Sequence, residues 1–136
     1  MRIRRAEAVD RPAVRSLAAE LGLDYPGMDD DPFWVAEANG AVVAICGLKR
    51  HSDCLELCSV GVARAFRDRG TAAALIGRVL EDVPGDIYLT TVKPAGFRLF
   101  GFAPAPSVPA SLAARPAGWC DGCRTSRCMV LVRRRR

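Results

Sequence analysis

The chain lacks any apolar run long enough to span a bilayer, and its opening residues, Met1 to Arg5, lack the apolar core of a secretory leader. Both absences lead to the expectation of a cytoplasmic protein with no membrane partner. Internal repeats are missing, and no linker is long enough to divide 136 residues. One domain, residues 1–136, with one core is therefore expected. No Gly-Lys-Ser/Thr follows a glycine loop, which excludes a Walker phosphate loop, and no Gly-x-Gly-x-x-Gly is present, which removes the dinucleotide fingerprint. Basic residues interleaved with aromatics are also wanting. Of the net charge of +5, four charges sit in Arg133, Arg134, Arg135 and Arg136, leaving a nearly neutral body. Nucleic acid is thus not expected as a partner, and residues 133–136 read as a solvated basic tail.

Hydrophobic residues make up 50% of the chain, enough for a packed globular fold. Arg2 to Ala6 reads as a strand. Val14, Leu17, Ala18 and Leu21 share one helical face, with Pro12 in the first turn and Gly22 as a stop. Residues Asp24 to Pro32 read as a loop or short helix. Phe33–Ala38 and Ala41–Leu48 are strand-like and joined by Asn39-Gly40, the strongest short hairpin signal. Leu55–Val62 is a further strand. Ala72, Leu75, Ile76, Val79, Leu80 and Val83 form an apolar helical face, stopped by Pro84-Gly85. Ile87–Thr91 is a short strand, residues 94–100 suit one or two helical turns, and Gly101-Phe102 begins an extended piece. Six of the nine prolines lie beyond residue 83, so Ala103 to Gly118 reads as loop-rich. Met129–Val132 reads as a last strand. The order β-α-β-β-β-α-β-α-β implies an α/β or α+β fold, a mixed sheet with helices on its faces.

The most telling stretch runs from Ser59 to Ile76. An apolar strand carrying Val60 and Val62 leads into a basic loop, Arg67-x-x-Gly70-x-Ala72, and then into an apolar helix. A helix N-terminus flanked by Arg67 and Arg69 suits a phosphate or pyrophosphate. Gly70 permits close backbone approach, and Ala72 is too small to block it.

This pattern resembles the acetyl-coenzyme A loop of the GNAT superfamily of N-acetyltransferases, whose signature is Arg/Gln-x-x-Gly-x-Gly/Ala after a hydrophobic strand. Residues 58 to 76 match it without a gap. Phe97-Arg98-Leu99-Phe100-Gly101-Phe102 resembles a second superfamily segment, Phe/Tyr-x-x-x-Gly-Phe. The element order agrees, so the resemblance covers nearly the whole chain. It implies a mostly antiparallel mixed sheet flanked by helices, with acetyl-coenzyme A as co-substrate and a small-molecule amine as acceptor. More narrowly, Leu89-Thr90-Thr91, Phe97, Gly101-Phe102, Val108-Pro109, Cys123 and Ser126 resemble small N-acetylglutamate synthase-like proteins and the related arsinothricin acetyltransferases. These relatives modify the α-amino group of an amino acid or its analogue. Exposed edges in this fold often pair, which leaves room for a homodimer.

By the same resemblance Val60, Gly61, Val62, Arg67, Asp68, Arg69, Gly70, Thr71, Ala72 and Phe97 are expected to bind the cofactor. The backbone N–H of Val60 is expected to hold the thioester carbonyl, an oxyanion-type contact. Glu56 occupies the place of a strand glutamate that acts as base through water. Side-chain alternation would put it on one face with Cys58, Val60 and Val62. The other reading of Glu56 is an edge-strand surface charge. Two departures stand out. Phe97 replaces the Tyr that many members use to protonate the leaving thiolate, and Tyr88 on a neighbouring strand reads as a packing residue. Cys58 stands where amino-acid acetylating relatives often carry an Arg, with Arg50, His51 or Arg124 as substitutes. His51, in a polar turn, otherwise reads as a surface residue.

Six cysteines open a rival reading. Cys120-x-x-Cys123 with Cys128 supplies three local thiols, one short of a usual zinc set, the fourth falling to Cys54, Cys58 or His51. The alternative function is a thiol-based metal-, metalloid- or redox-sensing module on the same scaffold. Cys46, in an apolar run, reads as a buried thiol.

Overall fold

The computed structural model describes residues 1–114 and 128–135. The chain forms two compact units, the first from Met1–Lys49 and Leu57–Val83, the second from Arg50–Glu56 and Pro84–Arg136.

In the first unit β1 (Arg2–Arg5) pairs antiparallel with β2 (Phe33–Ala38), and β2 with β3 (Ala41–Arg50). β4 (Leu55–Val62) follows β3 in the sheet. The β2–β3 turn has Asn39 at φ 53° and Gly40 at φ 79°, the two left-handed positions that an Asn-Gly hairpin requires. α1 (Arg11–Glu20) starts with a proline in its first turn and ends before Gly22 at φ 69°. Its Val14, Leu17 and Ala18 pack with Met28, Phe33, Val35 and Ile45 into one core cluster. α2 (Thr71–Asp82) buries Leu75, Ile76 and Val79. The Trp34 indole N–H donates to Asp82 at 2.9 Å, tying α2 to β2. Phe33 to Ala36 are therefore buried on both faces of the strand, and that run is apolar without alternation.

A charged knot closes this unit at the start of α1. Asp10, 8% exposed, accepts two hydrogen bonds from the Arg4 guanidinium, at 2.6 and 3.0 Å, and one from the Glu7 N–H at 2.7 Å. Arg4 also donates to Glu37 on β2 at 2.9 Å. β1, β2 and the turn before α1 are thus held by one guanidinium.

In the second unit β5 (Ile87–Thr91) runs parallel to the first two residues of β4, with Leu55 beside Ile87 and Glu56 beside Tyr88. β7 (Met129–Arg133) pairs antiparallel with β5, and β6 (Ala103–Pro104) with β7. Residues Pro94–Phe100 form a 3-10 helix ended by Gly101 at φ 88°. Phe102, 3% exposed, then packs edge-on against Phe97, with ring centroids 6.1 Å apart. A short α3 (Ala110–Ala113) interrupts the proline-rich segment that was expected to be loop. Of the pairings described, β4 with β5 is parallel and the others are antiparallel, the mixed, mostly antiparallel α/β architecture that the family resemblance implies.

The basic tail is not simply a solvated end. Arg133 belongs to β7, and its guanidinium donates to the Phe100 carbonyl at 3.0 Å. Asp86 then accepts from the Arg134 side chain at 3.1 Å and the Arg135 N–H at 2.8 Å. A carboxylate placed opposite the end of the chain thus captures the Arg134 charge, which sequence alone assigns to solvent.

The Arg4 hydrogen bonds, helped by the Glu7 N–H, pull the Asp10 carboxyl from its ordinary 3.8 down to about 2. A carboxyl lowered by folding stabilises the folded state above the unfolded value and loses that contribution as pH falls through the folded one. Asp10→Asn is expected to cost about 2 kcal/mol near neutral pH. It should also flatten the fall in stability between pH 3.8 and about 2. Urea denaturation at a series of pH values measures both effects.

Candidate functional site

β4 does not run as a regular strand. Ser59 sits at φ 50°, a left-handed conformation unusual for a residue with a Cβ. Its hydroxyl donates to the Leu23 carbonyl at 2.7 Å, fastening the strand to the segment after α1. The pleat is interrupted there, so the alternation that would put Glu56 and Cys58 on one face with Val60 and Val62 does not carry across Ser59.

Gly61 follows in close packing with the same segment. A Cβ on it would lie 2.5 Å from Leu23 Cδ1 and 2.7 Å from Leu21 Cδ1. After β4 comes a 3-10 turn, Arg64–Phe66, and the Arg67 guanidinium donates back to the Val62 carbonyl at 3.1 Å. Asp68 at φ 63° and Gly70 at φ 75° then swing the chain into α2. Gly70 is the N-cap and has no side chain to cap the helix, so no side chain covers the first amides of α2. With the helix dipole behind them, they present positive potential outward.

A cleft of about 440 Å³ opens at this place, lined by Leu21, Leu23, Val60, Gly61, Val62, Phe66, Arg67, Asp68 and Gly70 to Ala73. Eight of the expected cofactor residues therefore line one cleft: Val60, Gly61, Val62, Arg67, Asp68, Gly70, Thr71 and Ala72. Arg69 is turned aside, its guanidinium 5.3 Å from the centroid of the Phe66 ring. Phe97 belongs to the second unit, where it packs on Phe102.

Glu56 is 4% exposed and paired in register with Tyr88, which removes the surface-charge reading. His51 is not a surface residue either. Its side chain is 13% exposed, and Nε2 lies 2.9 Å from Glu56 Oε1. The turn that carries it is closed by the His51 N–H donating to the Cys54 carbonyl at 2.9 Å. Asp53, next along the turn, accepts from the Ser111 N–H at 3.1 Å. The spacing of His51 and Glu56 across a tight turn was the available signal. What was missing was the turn geometry that folds one onto the other.

A second polar group was not anticipated. The Tyr25 hydroxyl donates to Asp31 at 2.9 Å and lies 3.6 Å from the Cys58 sulfur. Lys49 Nζ sits 4.5 Å from the Tyr25 ring centroid and 3.9 Å from Asp31. Burial, followed by the Cys58 and Asp31 contacts, pushes the Tyr25 phenol far above its ordinary value. The place of the relatives' Arg is thus held by Cys58 within a tyrosine–aspartate–lysine group. Of the substitutes, Arg50 ends β3 exposed, His51 is engaged with Glu56, and Arg124 lies outside the described residues.

Cys46 is fully buried, and burial raises its thiol well above the ordinary value. Cys120 and Cys123 lie outside the described residues; among the described ones no cluster of His, Cys, Asp and Glu could hold a metal. No helix among them is long and apolar enough to cross a membrane.

The acetyltransferase (GNAT) family model matches residues 4–102, and the chain belongs to this family. No curated relative matches the sequence. Among solved structures, it is similar to N-acetylglutamate synthase from Neisseria gonorrhoeae, complexed with coenzyme A and N-acetyl-glutamate. That match has TM-score 0.74 and 20% identity over 99% of this chain and 35% of the other. The chain thus spans about a third of the length of that synthase. It is also similar to Rv2747 from Mycobacterium tuberculosis in complex with coenzyme A, at TM-score 0.72 and 21% identity, covering 98% and 99% of the two chains. Ribosomal-protein-alanine N-acetyltransferase from Brucella melitensis gives TM-score 0.69 and 17% identity, covering 98% and 99%. At these identities the likeness is one of fold.

The Ser59 anchor is testable by stability. Ser59→Ala keeps the left-handed strain, loses the hydrogen bond and leaves the Leu23 carbonyl unpaired, at a cost of about 1–2 kcal/mol. Ser59→Gly loses the same bond but relieves about 1 kcal/mol of strain. The alanine variant is therefore expected to unfold at lower urea concentration than the glycine variant. The reverse order would mean that the backbone there is unstrained.

Proposed function

We propose that the protein is an acetyl-coenzyme A-dependent N-acetyltransferase acting on a small amine, the α-amino group of an amino acid or close analogue. The observation that carries this reading is the cleft at the N-terminus of α2, where uncapped amides follow a left-handed glycine. The pyrophosphate of the donor would rest on the amides after Gly70, with Arg67 beside it. The pantetheine arm would lie along Val60, Gly61 and Val62, in the cleft that they line. The Val60 N–H would polarise the thioester carbonyl. An amino-acid acceptor is supported by the fold's likeness to a synthase complexed with N-acetyl-glutamate. We place the reaction in the cytoplasm, where the thiols would stay reduced. Residues 1–136 serve as one catalytic domain in this reading, and paired sheet edges as the route to a homodimer.

Chemically, an ammonium must lose a proton before it attacks. Glu56, a buried carboxylate on the same strand as Val60, is the base, acting through water. The thiolate leaves without a dedicated acid, Phe97 having no proton to give. That is workable for a thiol whose ordinary pKa is about 8.5.

Isothermal calorimetry with acetyl-coenzyme A tests the donor half. The wild type is expected to bind, Arg67→Glu to weaken binding about tenfold or more, and Gly70→Glu to abolish it. Absence of binding by the wild type at millimolar donor would overturn the reading. A panel of amino acids and small amines, scored by thiol release with the protein's own cysteines controlled by mass spectrometry, identifies the acceptor. Glu56→Gln is expected to lower kcat about 100-fold or more with little change in donor affinity.

A further inference from the structure

We infer that the second unit carries a binding site of its own, a cavity that takes a small monocarboxylate with an apolar body and holds its charge on Arg98. The inference goes beyond acetyl transfer and stands whether or not that reading does.

The cavity lies between the 3-10 helix Pro94–Phe100 and the paired strands β6 and β7, and its volume is about 550 Å³. That is a common size for a small-molecule site. Its shape begins with the helix. A 3-10 helix has three residues per turn, so Ala95 and Arg98 share one face, with Gly101 next in line as the cap. All three line the cavity. The small residues before and after Arg98 leave the space that larger side chains would fill. Phe97 falls on another face and packs edge-on against Phe102. Across from the helix, Phe102 and Leu131 line the cavity as buried side chains, while Met129 is 40% exposed. The lining therefore runs from the core out to solvent, which gives a ligand a way in. Met129, unbranched and polarisable, can adapt to an apolar guest.

Charge selects the guest. Arg98 is the only charged side chain among the described lining residues; the rest are apolar or glycine. Among the described residues of this unit the carboxylates are Asp53, Glu56 and Asp86. Asp53 meets the Ser111 N–H, Glu56 meets His51, and Asp86 meets Arg134 and Arg135. None of them pairs with Arg98. A planar guanidinium matches a planar carboxylate with two parallel hydrogen bonds. A phosphate ester, with nearly two charges at neutral pH, would find only one cation here. The apolar body of the guest would cover Phe102, Met129 and Leu131, and removing that surface from water favours binding.

Octanoate is the probe, and the methionine methyl groups are the readout. The chain has three methionines; Met1 and Met28 belong to the first unit, so Met129 reports the second alone. In 1H–13C spectra of methyl-labelled full-length protein, the Met129 signal, assigned through Met129→Leu, is expected to shift saturably with octanoate. The Met1 and Met28 signals should stay in place. 1-Octanol, which keeps the chain and lacks the charge, is expected to bind about tenfold more weakly. Acetate, which keeps the charge and lacks the chain, should leave the signal unmoved. Arg98→Gln is expected to weaken octanoate about tenfold and bring it level with octanol. Ala95→Phe, which fills the space beside Arg98, should abolish the shift. No saturable shift of Met129 up to about 10 mM octanoate would overturn the site. So would equal affinities for octanoate and octanol, or an Arg98→Gln variant that binds octanoate as tightly as the wild type.

Discussion

Ser59 holds the first unit's functional geometry. Its left-handed backbone breaks the pleat of β4 midway, and its hydroxyl secures the break by bonding to the Leu23 carbonyl. From there each feature of the cleft follows. The segment after α1 is drawn against β4, so Leu21 and Leu23 come down on Gly61 and leave no room for a Cβ. Leu21, Leu23 and Gly61 then form one wall of the cleft, and the loop from Phe66 to Gly70 forms another.

Much of the fold was legible because its signals are local. Leu55–Val62 and Ile87–Thr91 have the bounds that their apolar runs predict, and Asn39-Gly40 adopts the two positive φ values its chemistry allows. The glycine loop was legible for the same reason, since Gly70 takes the conformation for which glycine is suited. Ser59 was not, because a serine in an apolar strand carries no mark of a left-handed backbone. Only the distant Leu23 carbonyl makes that conformation worth adopting. The last arginines misled in the opposite sense: a run of charge reads as solvated, and nothing in it reveals that Asp86 will stand opposite.

The site shows the same division. Glu56 was singled out by the family resemblance, but its burial beside His51 depends on how a four-residue turn folds back. Tyr25 and Asp31 come from the segment Asp24 to Pro32, Lys49 from β3 and Cys58 from β4, and their meeting is a product of packing. Such a group is sensitive to its members collectively. Tyr25 bridges Asp31 and Cys58, and Lys49 lies against both the ring and the carboxylate, so removing Tyr25 would take a contact from all three at once.

The uncapped start of α2 has a consequence for control. The peptide N–H groups of such a cradle have no proton to lose in the physiological range and no thiol to oxidise; what can be modified there belongs to the side chains beside them, Thr71 and Arg67. Its affinity for an anion cannot be switched by modifying the groups that make it. Control of this cleft can therefore act only on the side chains beside the amides, Thr71 and Arg67, or on its shape, by moving the leucines that wall it or the loop that leads into the helix. Inheritance follows the same logic: main-chain recognition leaves many neighbouring side chains free to change, provided the glycines stay and Arg67 keeps its charge.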